Sequence, residues 1–184
     1  MEVLINSFKN ISGKFPTAKL LIAGWGDFGY FETLKKLTLK LKLQKKIVFL
    51  GKVSEESKMK LLSSSWIFLQ PSMVEGWGIT VIEANASGTP VIASDVNGLR
   101  DSVLNGETGL LVSPDSKKAI EDAVILLLSD KKLREKLSIA AYEWAQNFTW
   151  DESNKKFLKL IEDENRVSKK IDLSFLQSKA VAGD

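Results

Sequence analysis

Five short apolar runs constrain this chain more than any other feature: Lys19–Ala23, Ile47–Leu50, Trp66–Leu69, Val91–Ala93 and Leu110–Val112. Each is too short for a helix, and each stops close to a glycine, a proline or a polar turn, so each reads as a buried strand. The segments between them carry helical spacing instead. Val3, Leu4, Ile5, Phe8 and Ile11 share a helix that ends near Gly13. Residues 30–43 fit two patterns, because Leu37, Leu39, Leu41 and Leu43 alternate as in a strand while Leu34, Leu37 and Leu41 line one helix face. Leucine and lysine with few β-branched neighbours favour the helix. Ser54 caps the next helix, with Glu55 and Glu56 in its first turn. Pro114-Asp115 and Ser129-Asp130 open two more, and Thr149 with Glu152 forms a capping box for a last one. Strands that alternate with helices in this way build a mostly parallel sheet covered on both faces.

One of these units is richer than the rest. From Gln70 to Ser94 the chain reads QPSMVEGWGITVIEANASGTPVIAS. A strand end leads into a glycine turn, Gly76-Trp77-Gly78, then a short helix, then the turn Ser87–Pro90 and another strand. The residues Ile79–Ile82 favour strand locally, so the helix is inferred from the βαβ context. In such a unit, ligands bind beyond the carboxyl ends of the strands. A helix that starts near Gly78 offers unpaired N–H groups and a positive dipole end to an anion such as a diphosphate. Gly76 and Gly78 let the backbone approach it closely. Glu75 falls in the loop before the turn, and Glu83 lies within an apolar run where a carboxylate is costly unless something binds it.

Composition removes several chemistries. The chain has no histidine and no cysteine, which excludes imidazole bases, His-ligated zinc, thiolate metal sites and disulfides. A net charge of only +3 gives no reason to expect nucleic acid as a partner. No apolar run approaches the roughly 18–20 residues that span a bilayer, and the N-terminus lacks the apolar core of a signal peptide. A cytoplasmic protein is the expectation.

The stretch Glu75-Gly76-Trp77-Gly78 followed by Glu83-Ala84, with Pro71-Ser72 before it and Gly88–Ala93 after it, resembles the donor signature of retaining GT-B glycosyltransferases. Gly98-Leu99 and Gly109–Val112 match downstream, and Gly24, Gly26, Phe49–Gly51 and Val53 match upstream. The resemblance covers about residues 1–163 and implies a nucleotide-sugar-binding domain there; after Asp163 the apolar pattern fades, and 164–184 reads as a partly disordered extension. It implies that Glu75 bonds hydroxyls of the transferred sugar and serves as the catalytic-site carboxylate. The backbone of Gly76, Trp77, Gly78 and Ile79 would meet sugar and phosphate oxygens, Glu83 would hold the ribose hydroxyls, and Gly24, Gly26 and Val53 would flank the base. A nucleoside diphosphate sugar is then the donor, and neither metal nor cofactor is expected. The family's lipid-linked acceptors allow a weak association with the membrane surface. Asn85, Asn97 and Asp101 depart from the pattern, which more often has an apolar residue, a glycine and a glutamate there. Trp77 reads equally as core or as pocket wall, while Trp25, Trp66, Trp144 and Trp150 read as packing residues.

The expected fold is a Rossmann-like doubly wound sheet, the C-terminal half of GT-B, lacking its first, central strand. In the order 3-2-1-4-5-6 that strand lies between the runs at 19–23 and 66–70. These two runs then pair with each other, borrow a strand, or leave a gap. The family's phosphate-clamping arginine and lysine precede the matched region, and so does its acceptor domain. The alternative reading is therefore a non-catalytic nucleotide-binding fragment, or a subunit that needs a second chain. A glycoside hydrolase using Glu75 and Glu83 fits worse: eight helical residues rise about 12 Å, beyond the usual carboxylate spacing.

Overall fold

The computed structural model describes residues 1–24 and 26–164. Trp25, with its expected packing role, and the residues from 165 onward, which belong to the extension expected to be partly disordered, lie outside the described residues. The chain divides into two compact units, Met1–Gln146 and Asn147–Asp184. In the second, the described residues form a helix over 150–164, and Thr149 Oγ1 accepts from the Glu152 N–H at 3.2 Å.

The first unit runs α1 (Glu2–Lys14), β1 (Leu20–Ala23), α2 (Phe28–Lys40), β2 (Ile47–Gly51), α3 (Glu55–Ser64), β3 (Phe68–Gln70) and α4 (Ile79–Ala86). It continues through β4 (Val91–Ser94), α5 (Asn97–Arg100), β5 (Gly109–Val112), α6 (Lys117–Ser129) and α7 (Lys131–Ala145). All strand pairings among the described residues are parallel. β1 pairs with β2, and β3, β4 and β5 form a second ladder in that order. β4 is buried along its whole length, and its side chains alternate between two cores. Ile92 joins Leu4, Phe8 and Val124 of α1 and α6, whereas Val91 and Ala93 join Leu62, Val81, Ala84 and Leu99 of α3, α4 and α5. Helices thus cover both faces, as a sheet of continuous apolar strands requires.

Between the two ladders the sheet is open. β1 and β3 make no pairing with one another, and their facing edges border a cleft of about 770 Å³. Leu20, Ile22, Phe68 and Leu69 line it, with Leu4 and Phe8 of α1 on one side and Leu61 of α3 also lining it. Of the three outcomes open in the sequence, pairing of the two runs with each other is excluded, and among the described residues a gap separates them. Its position, between the strand at 20–23 and the strand at 68–70, is where a doubly wound order places its central strand.

Three local expectations are corrected. α6 begins at Lys117 with Ser116 as its cap, the Ala119 N–H donating to Ser116 Oγ at 3.2 Å. Asp115 has φ +57°, a left-handed conformation that cannot continue a helix, so Pro114-Asp115 forms the preceding turn. β3 begins at Phe68, and Trp66 before it is 62% exposed with the Arg134 guanidinium 4.4 Å above its ring. Trp150, at 86% exposed, is no packing residue either. Trp144 is: half-buried, it donates from Nε1 to the Ser102 carbonyl at 3.2 Å.

Asn85 is fully buried in α4, and neither polar atom of its amide has a hydrogen-bond partner among the described residues. An orphaned buried amide costs about 1–3 kcal/mol. Asn85→Leu should therefore raise the denaturant midpoint at unchanged slope, by an amount worth about 1–2 kcal/mol after the added volume is accommodated. A lower midpoint would contradict this reading of the amide.

Candidate functional site

The carboxyl ends of the strands carry nearly all the candidate residues, because each strand turns there into the loop that feeds the next helix. β1 ends at Gly24, whose N–H donates to the Gly51 carbonyl at 2.8 Å and whose φ is +127°. Val53 follows β2 and is half-buried. Gly24 and Val53 both line the cleft between the ladders. Gly26 is exposed, with open space around its Cα, and is not part of that lining.

Beyond β3, Gln70 and Ser72 line the cleft and hold Glu75. Gln70 Nε2 donates to Glu75 Oε2 at 3.0 Å and Ser72 Oγ donates to the same oxygen at 3.2 Å. Both donors act on one carboxylate oxygen, which fixes the plane of the group. Trp77 is half-buried, and Ile79, at the first position of α4, is 67% exposed. Gly78 precedes α4 with φ +79°, and no side chain caps the first turn. A Cβ there would approach Leu99 Cδ2 to 2.7 Å, so glycine is required on both conformational and steric grounds.

The loop at Glu75-Gly76 is held from below by the short helix α5. Gly98 is buried, and a Cβ on it would come within 2.1 Å of the Glu75 carbonyl oxygen. Close backbone contact is the physical reason for a glycine in the Gly98-Leu99 match. Gly76 presents the opposite case. Nothing lies within 4 Å of where its Cβ would be, and it is exposed. Packing leaves room for a side chain here. Gly76→Ala should change stability by no more than about 0.5 kcal/mol. It should nevertheless weaken nucleotide-sugar binding severalfold, measured by calorimetric titration. Unchanged affinity would remove the ligand-contact role of Gly76.

Glu83 points from the middle of α4 toward α3. Lys58 Nζ donates to Glu83 Oε1 at 2.8 Å and also pairs with Glu55 Oε2 at 2.7 Å. Hydrogen bonds to Glu55 and then Glu83 raise the Lys58 pKa above its ordinary value. Lys58 lines the cleft as well. The cleft lining does not itself include Glu75, Gly76, Trp77, Gly78, Ile79 or Glu83; Gln70, Ser72 and Lys58 link the two glutamates to it. Arg100 is taken up elsewhere: Nε donates to Asp95 Oδ1 at 2.6 Å, which draws the Asp95 carboxyl below its usual pKa.

This arrangement is an α/β fold with polar groups converging at the carboxyl edge of a parallel sheet. The family model for glycosyl transferases group 1 matches residues 1–144, and the chain belongs to that family. It is 30% identical over 175 residues to phosphatidyl-myo-inositol mannosyltransferase of Mycobacterium leprae, covering 95% of this chain and 46% of that protein. It is 35% identical over 153 residues to D-inositol 3-phosphate glycosyltransferase of Corynebacterium efficiens, covering 81% of this chain and 36% of that one. Among solved structures, sucrose-phosphate synthase of Thermosynechococcus elongatus superposes with a TM-score of 0.80 at 29% identity, over 90% of this chain and 42% of that. The C-terminal domain of a glycosyl transferase group 1 family protein of Francisella tularensis superposes with a TM-score of 0.73 at 25% identity. That match covers 80% of this chain and 77% of the Francisella domain. The fold is thus a partial Rossmann-like domain similar to part of the GT-B glycosyltransferases, and the chain spans less than half the length of the two curated relatives named above. Among the described residues, no helix is long and apolar enough to cross a membrane.

Proposed function

We propose that this chain is the donor-binding part, at residues 1–163, of a retaining glycosyltransferase. The enzyme would move a sugar from a nucleoside diphosphate sugar to a hydroxyl acceptor. The observation that carries this is the pair Glu75 and Glu83 on either side of the uncapped N-terminus of α4, each tethered to a residue of the cleft. Glu75 receives the sugar hydroxyls and Glu83 the ribose hydroxyls. The diphosphate meets the N-terminus of α4, and the base lies toward Gly24, Gly26 and Val53. As the bond between the anomeric carbon and the diphosphate breaks, negative charge grows on the departing phosphate. Backbone N–H groups and the helix dipole are already oriented to receive it. The reading requires no metal. It expects a cytoplasmic enzyme, with weak association with a membrane surface where the acceptor is lipid-linked.

The open sheet favours a second reading of the chain acting by itself. With β1 and β3 unpaired along the cleft, it binds nucleotide but does not transfer sugar. A further polypeptide segment then supplies the strand, and an acceptor domain completes the enzyme.

Thermal unfolding of the 184-residue chain with UDP, GDP, ADP and their sugars tests both readings. A ligand at ten times its Kd stabilises the native state by about 1.4 kcal/mol. For a chain of this size that is about 3–6 °C. A melt raised by one base and not the others supports donor binding. A ligand-blind melt contradicts it, and sugar transfer by the chain alone contradicts the second reading.

A further inference from the structure

Sequence reasoning assigned Lys58 no role, yet it lines the cleft and bonds Glu83. Lys58 stands in the first turns of α3, three residues after Glu55, and α3 packs against α4. It reaches across that interface to a residue 25 positions later in the chain. A lysine on a solvated face would be satisfied by Glu55 alone, which is 85% exposed and follows the ordinary i,i+3 spacing. Instead the ammonium is drawn inward. The side chains of Lys58 and Glu83 are only 24% and 27% exposed.

The bond is also one-sided. Lys58 takes Glu83 Oε1, while Oε2 has no hydrogen-bond partner among the described residues. A carboxylate with one oxygen clamped and the other open has a fixed rotamer and a defined acceptor direction. Glu75 shows the same design, with Gln70 and Ser72 converging on Oε2 alone.

We propose that Lys58 is a positioning residue of the donor site: it clamps Glu83 Oε1 so that Oε2 faces the ribose hydroxyls of a nucleoside diphosphate. The proposal rests on the reading of Glu83 as the ribose-binding carboxylate, and it adds to that reading the group that orients it. Lys58 acts through Glu83 and needs no contact with the ligand. A purely structural staple between α3 and α4 would instead support stability and leave ligand discrimination untouched.

The test compares UDP, GDP and ADP with their 2′-deoxy counterparts by calorimetric titration of the full chain. In the unaltered protein the best-bound diphosphate should exceed its 2′-deoxy form by about tenfold, as expected for one hydrogen bond to a charged group. Lys58→Met should reduce that ratio to about twofold or less, and Lys58→Arg should restore most of it, because a guanidinium also reaches a carboxylate. Glu55→Gln, which removes the exposed carboxylate, should leave the ratio within about twofold of the unaltered chain. Melting curves of all variants report folding separately. A strong ribose preference that survives in Lys58→Met overturns the role of Lys58 while leaving Glu83 in place. No ribose preference in the unaltered chain, or no binding at all, overturns the Glu83 reading and the proposal with it. A lower melting temperature for Lys58→Met with an unchanged ratio assigns Lys58 to the structural staple and overturns its positioning role.

Discussion

Replacing Gly98 with alanine should destabilise the first unit by about 2–3 kcal/mol and abolish donor binding together with it. The added Cβ would lie 2.1 Å from the Glu75 carbonyl oxygen and 2.5 Å from the carbonyl carbon and oxygen of Gly76. These are backbone atoms, so no rotamer change relieves the clash. Either α5 or the loop carrying Glu75 must move. Overpacking at a buried site typically costs about 1–3 kcal/mol, and a backbone clash belongs at the upper end. The consequence for function follows from the same contact. Displacing the loop pulls Glu75 from the oxygen-to-donor geometry set by Gln70 and Ser72. Chemical denaturation gives the first effect, and titration with a nucleotide sugar below the unfolding midpoint gives the second. Gly98→Ala with native stability and native affinity would show that the loop is not held by α5.

Glu83→Gln should weaken binding of a plain nucleoside diphosphate by tenfold or more. The amide keeps the shape but loses the charge, and hydrogen bonds to charged groups are worth about 1.5–3 kcal/mol. About 1.4 kcal/mol is a factor of ten. The substitution also leaves Lys58 with only the exposed Glu55 as an ionic partner. Glu75→Gln should behave differently. Its assigned ligand is the sugar, so affinity for the plain diphosphate should stay within about twofold while the preference for the sugar nucleotide disappears. Calorimetric titration of both variants with both ligands separates the two roles. Equal losses for the plain diphosphate would end the division of labour between the carboxylates.

Much of this fold was legible in the sequence because its strands are buried on both faces. Continuous apolar runs such as Val91–Ala93 admit no other reading once their short length is weighed. The helix at Ile79–Ala86 was legible only through its neighbours. Its β-branched start favours strand, and the demand of the βαβ connection overrides that preference. The gap beside β1 was likewise readable as one of three outcomes, since topology states which neighbour is missing but not how the edges respond. What escaped was tertiary. α5, at four residues, is too short to show a period. Trp66 looked like core by its side chain alone, yet it is exposed beneath a guanidinium from a helix more than sixty residues away. Lys58 gave no signal because its partner lies 25 positions along, on a different helix. In the sequence Gly76 and Gly78 carried one shared role, and Gly98 was only a motif match. The structure separates Gly78 and Gly98, which packing demands, from Gly76, which it does not.

The measurement that bears most directly on the account is amide chemical-shift mapping of the ¹⁵N-labelled chain, titrated with UDP, GDP and ADP. Saturable shifts are expected for one of them, concentrated at Gly24, Gly26, Val53, Gly76–Ile79 and Glu83. Shifts that saturate elsewhere on the molecule, or none at millimolar nucleotide, would contradict a donor site at the carboxyl ends of these strands.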